Sequence, residues 1–140
     1  MADAKYNSFK KDVFDGVIDL VNDDIKLALV TSTYVPNIDT HKFFSSVTNE
    51  VVGAGYTADG QSLVGNAVTQ DDTNDEGKFD ANDVVWAAST ITARAGVLYK
   101  DTGVAATSPL ICYFDFGSDI TSTVGNFTVA WATTGILTLA

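Results

Sequence analysis

The chain has 140 residues, 46% of them hydrophobic, with eight phenylalanines; that is enough to bury one sizeable core and too apolar for a disordered segment. Eighteen acidic residues against eight basic ones leave a net charge of −10, a surface that repels phosphate backbones, so direct nucleic-acid binding is not expected. The single cysteine excludes an internal disulfide framework, and no apolar run approaches a membrane span. The start, MADAKYNSFKK, is polar where a signal peptide needs an apolar stretch, so synthesis in the cytoplasm without export by that route is expected.

The first predicted element covers AKYNSFKKDVFDG. Tyr6, Phe9 and Val13 recur at helical spacing, lysines and aspartates take the other face, and Gly16 stands where a helix would stop. Residues 1–16 therefore read as an arm and short amphipathic helix docking on a sheet. Its Lys5, Lys10 and Lys11 oppose the general acidity, and with Tyr6 they are candidate contacts to a partner. In VIDLVNDDIKLALVTSTY, Ile25, Leu27 and Leu29 alternate with Lys26, Ala28 and Val30, and Asn22-Asp23-Asp24 reads as the turn of a hairpin. Asp39 then stands as the N-cap of a second short helix ending near Val47, with Ile38 and Phe43 as its hydrophobic staple.

From Gly53 onward strand patterns are separated by turns. Ile91, Ala93, Ala95, Val97 and Tyr99 share one face; Leu110, Cys112, Phe114 and Phe116 share another; Phe127, Val129 and Trp131 a third; ILTLA closes the chain. Seven or eight short strands predict a mainly β fold, an antiparallel β-sandwich or jelly-roll-like barrel forming a single domain over residues 1–140, with one or two short helices in the N-terminal third. The expected core is Phe9, Leu27, Leu29, Phe43, Leu110, Cys112, Phe114, Val129 and Trp131.

The stretch DDTNDEGKFDAND, residues 71–83, carries six carboxylates and nearly matches a calcium loop. Asp72, Asn74, Glu76, Asp80 and Asp83 fall on ligand positions and Gly77 on the sharp turn. Asp83 replaces the usual bidentate glutamate, however, and the flanks SLVGNAVTQ and VVWAASTITA read as strands. A solvated hairpin loop is the favoured reading, with weak calcium binding as its rival and no other cofactor expected.

Catalytic patterns are missing. The sequence has no glycine-rich phosphate loop, paired cysteines, G-x-S-x-G or H-E-x-x-H. His41, the only histidine, lies in a polar turn where a lone exposed histidine reads as a surface residue rather than a ligand or base, and Cys112 sits in an apolar run, so a non-enzymatic protein is expected. Arg94, the sole arginine, lies on the polar face of its strand as an exposed residue or a salt-bridge partner at a subunit contact.

The succession YNSFK, IDLVNDDIKLALVTSTYVPNIDTH, TNDEGKFDANDVVWAASTITARAGVLYKDTG, SPLICYFDFG, GNFTVAW and GILTL resembles a group of small virion structural proteins of tailed bacteriophages, over nearly the whole chain. The resemblance implies a station in the virion after synthesis in the host cytoplasm. It implies contacts with the major capsid protein or other virion proteins, and self-association. By fold-level analogy the expected role is capsid decoration or cementing. A tail, neck or fibre component is the alternative. A further alternative, from the residues themselves, is a calcium-dependent carbohydrate-binding module using loop 72–83 and Tyr56 or Trp86.

Overall fold

The computed structural model describes residues 3–140. In chain order the elements are β1 (Ala4–Lys5), α1 (Asn7–Phe14), β2 (Ile25–Val30), β3 (Gln61–Ser62), β4 (Ala67–Asp71), β5 (Glu76–Asp80), β6 (Val84–Lys100), β7 (Leu110–Val129) and β8 (Leu137–Leu139). A large antiparallel sheet has the order β1-β7-β6-β2-β3, and a small one the order β4-β5-β8. The fold is mainly β and sandwich-like, with its α-helix near the N-terminus, as the alternating patterns predict.

One apolar cluster joins α1 to both sheets. It holds Phe9, Ile25, Leu27, Leu29, Phe79, Trp86, Leu98, Ile111, Phe127 and Leu137 among others. A second cluster lies on the large sheet with Tyr6, Ala28, Val30, Tyr34, Phe44, Val97, Tyr99 and Leu110. The period of two in β2 therefore feeds both clusters, odd positions one way and even positions the other. Each fully buried Leu, Ile or Phe contributes about 1.5–3 kcal/mol relative to exposure. Gly96 belongs to this geometry, since a Cβ there would stand 2.9 Å from Leu27 Cδ1.

Several expectations need correction. The chain before β2 forms no strand: Asp19 Oδ1 accepts the N–H groups of Val21 and Asn22, each at 3.1 Å, and holds a turn instead. The second helix is only a 3₁₀ turn, Phe44–Ser46. Asp39 does not cap it; Asn37 Oδ1 accepts the N–H groups of Asp39 and Thr40 at 3.1 Å, a local side-chain bond that competes with helix. Phe43 is 40% exposed while Phe44 is buried and stacks on Tyr99. Finally, two of the strands are long, 17 residues in β6 and 20 in β7. Phe114 and Trp131, expected in the core, are partly buried, pack against it and meet each other edge to face.

Candidate assembly surface

The acidic stretch is not one solvated loop: its first part is the tip of the β4–β5 hairpin, and Glu76–Asp80 is strand β5 itself. Asp71 pairs with Glu76 and Ala67 with Asp80. Asp71 carries the turn: its carboxylate accepts the Asn74 side-chain amide at 2.9 Å and the backbone N–H groups of Thr73 and Asn74 at 3.0 and 3.1 Å. The bonds from Asn74 and the backbone hold its pKa below the ordinary value. Asp75, at φ +55, closes the turn in the left-handed region that aspartate tolerates. Of the calcium template, Asp72 and Asn74 sit in this turn, Glu76 and Asp80 at opposite ends of β5, and Asp83 beyond it, where Oδ1 accepts the Trp131 N–H at 3.0 Å. Strand geometry separates the five side chains, and no acidic, histidine or cysteine cluster able to hold a metal ion occurs among the described residues. The carbohydrate reading loses its aromatics as well. Trp86 is 2% exposed against Tyr56 and Phe127.

Tyr56 is occupied inside the molecule. Its hydroxyl accepts the Leu29 N–H at 2.9 Å and donates to Glu50 Oε1 at 2.7 Å; the same oxygen accepts the Asp59 N–H at 2.6 Å. Burial pushes the Glu50 carboxyl above its ordinary pKa despite these donors. The network fastens the 49–60 segment over β2 and β6, and Tyr99 OH adds a 2.6 Å bond to the Asp59 carbonyl.

The N-terminal segment is built in rather than free. Ala4 and Lys5 pair with Tyr113 and Cys112 of β7, and Asn7 starts α1. Residues 1–2 of the expected arm lie outside the described residues. Tyr6 is fully buried, its hydroxyl 2.8 Å from that of Tyr34, which lies 3.0 Å from His41 Nδ1. Because that nitrogen also accepts the Asn37 N–H at 3.2 Å, the chain of bonds runs from Tyr6 through Tyr34 to His41, and Tyr6 is a core residue rather than a contact to a partner. Lys10 and Lys11 are exposed, and Lys11 pairs with Asp15. Arg94 Nε lies 2.9 Å from Asp115 Oδ1 on the neighbouring strand, so its ion pair is internal to the chain. Cys112 is buried, and burial pushes its thiol up to about 12, leaving almost no thiolate at neutral pH.

One surface carries no sequence motif. In the half of the β6–β7 ribbon far from the 101–109 connection, inward Val84, Trp86, Ile91, Phe127 and Val129 alternate with outward Val85, Thr90, Thr92, Thr121, Thr123 and Thr128. Two outward pairs are directly opposite, Val85 with Thr128 and Thr92 with Thr121, the latter hydroxyls 2.9 Å apart. Neither residues 84–93 nor residues 120–140 contain a charged side chain. The result is an exposed, uncharged face on a strongly acidic protein. Its sequence signal is the pair of charge-free runs, which composition alone conceals.

Bulges shape this face. The register shifts between Trp86 and Ser89, and Ala88 and Val124 have φ of +49° and +43°. Beneath them Ser89 Oγ, fully buried, bonds the carbonyls of Trp86 and Gly125 and lies 2.8 Å from Ser122 Oγ. Val124, a β-branched residue in the left-handed region, is 80% exposed; such backbone strain persists only where the surroundings impose it. No known protein family, curated protein or solved structure matches the chain.

Proposed function

We propose that this protein is a non-enzymatic structural component of a tailed-bacteriophage virion, acting as a decoration or cement protein on the head. The observation that supports this reading most is the exposed, charge-free face of the β6–β7 ribbon. Charged side chains are depleted at the centres of protein interfaces, because each must be desolvated on association. A protein of net charge −10 would ordinarily scatter carboxylates over such a face, and here β-branched and small residues occupy it instead. The pleated surface of Thr and Val is stiff at χ1, so little side-chain freedom is lost when it is covered. Repetition on a symmetric shell multiplies a modest contact into a stable layer. The acidic remainder, including the 71–76 tip, faces solvent and keeps crowded copies apart.

Copy number in purified virions tests the proposal. Quantitative mass spectrometry should find the protein in hundreds of copies per particle, scaling with the major capsid protein. Copies in the tens would move it to a tail, neck or fibre, and absence from the particle would end the virion reading.

A further inference from the structure

A second surface carries the opposite electrostatic character. Between α1 and the small sheet lies an open cleft of about 350 Å³. Its walls are Phe9 and Val13 of α1, Leu20, and the cross-strand row Val68, Phe79 and Leu137, continued by Leu139. Phe79 and Leu137 are buried at its floor, whereas Phe14, Val68 and Leu139 are 86%, 55% and 65% exposed around it. Exposed large apolar side chains gathered around a groove mark a place for a partner.

The charges around the cleft say which kind. No acidic residue lines it, while Lys5, Lys10 and Lys78 do, in a chain with more than twice as many acids as bases. Lys11, Lys26, Lys100 and Arg94 are engaged in ion pairs with aspartates of the chain. Of the four lysines without an ion pair among the described residues, Lys5, Lys10, Lys42 and Lys78, three line this cleft; Lys78 does so from β5, where strand alternation turns its side chain to the face opposite Phe79, which leaves Lys5 and Lys10 as its cations. Lys10 reaches only Asn7 Oδ1, at 3.4 Å. Outside the cleft Lys42 alone among the described lysines lacks an ion pair, whereas Lys5 and Lys10 are held open beside apolar surface.

We infer that the cleft between α1 and the small sheet is a docking site for an apolar peptide segment of another protein that carries carboxylates beside its apolar side chains. Apolar residues of that segment would cover Val68, Phe79, Leu137 and Phe14, and its carboxylates would meet Lys5 and Lys10 at the mouth. The site is separate from the uncharged ribbon face and stands whether or not that face is a capsid contact.

Panning a random dodecapeptide library on the immobilised full chain tests this directly. The expected result is enrichment of peptides combining Leu, Ile, Phe or Val with Asp or Glu, which compete with one another and bind more weakly as salt is raised. Their affinity should fall by about tenfold or more in Lys10→Glu, through lost charge complementarity. It should fall similarly in Phe14→Ser; both changes alter exposed side chains and leave the thermal midpoint in place. No enrichment, enrichment of basic peptides, or binding indifferent to both substitutions would overturn the inference. Saturable binding of dodecanoate without peptide enrichment would overturn it in favour of a small anionic amphiphile. A dimer in sedimentation that dissociates in Phe14→Ser, again without peptide enrichment, would overturn it in favour of a second copy of the chain.

Discussion

The two halves of the β6–β7 ribbon are made by the same strands and meet solvent in different ways. Near the 101–109 connection, Ala95 to Tyr99 of β6 and Leu110 to Tyr113 of β7 are buried at consecutive positions, on both faces. There β2 and β1 flank the ribbon, Phe44 stacks on Tyr99, and the Glu50–Tyr56 network closes over the edge. In the far half only alternate residues are buried. The difference teaches that a strand exposed on one face need not be polar in the charged sense. The near half is apolar throughout because both faces lie inside one molecule, and the far half is apolar on one face and merely uncharged on the other.

The largest expected contrast comes from equivalent insults to the two halves. Leu98→Ala, at a fully buried position, should cost about 2–5 kcal/mol in urea unfolding, whereas Thr92→Lys should stay within about 0.5 kcal/mol of wild type. Comparable losses at both sites would break the comparison. At the bulge, Ser89→Ala removes a buried hydroxyl with three partners and should cost about 1–3 kcal/mol, measured the same way. A neutral result would mean that the bulge is held by backbone geometry alone.

A smaller effect sharpens the account of the cover on the near half. Burial raises the Glu50 pKa above its ordinary 4.5, so the folded state holds that proton more tightly than the unfolded chain. The stabilising contribution is complete below the unfolded pKa and is lost as pH rises through the folded one. Glu50→Gln keeps an acceptor for Tyr56 and the Asp59 N–H without the charge. The stability of the variant minus that of wild type should therefore be greater at pH 7 than at pH 4. Equal differences at the two pH values would show that Glu50 is hydrated after all. The smallest effect is expected at Val124, where glycine should relieve the left-handed strain and raise stability by at most about 1 kcal/mol. A loss instead would show that the exposed valine side chain contributes contacts that outweigh its strain.

Local pattern made part of this fold legible. The alternation of Ile25, Leu27 and Leu29, the helical spacing of Phe9 and Val13, and Gly16 at φ +70 all follow from side-chain periodicity and backbone sterics. The strand flanks of DDTNDEGKFDAND argued for a hairpin against a nearly matching calcium template, but the expected loop holds strand β5, Glu76–Asp80, and it is β5 that pairs with β4 while the 84–93 flank pairs with β7. What was illegible depends on distant partners. β7 runs through Gly117-Ser118-Asp119 with extra residues, its register moving from Asp115 opposite Ala95 to Ile120 opposite Ala93. Phe43 and Phe44 are equivalent in composition, and only the position of Tyr99 decides which is buried. Lys5 and Lys10 were legible as cations opposing the acidity, but their position beside Val68 and Leu139 requires the small sheet, whose strands β5 and β8 are separated by the whole β6–β7 ribbon.

The central claim, that the uncharged far face is where this protein meets its neighbours, is tested most directly by incorporation of Thr92→Lys/Thr121→Lys into particles assembled in its presence. The account predicts a variant with the wild-type unfolding midpoint that is lost from purified particles, because two cations would have to be desolvated at the contact. Incorporation at wild-type copy number, with the fold equally stable, would contradict it.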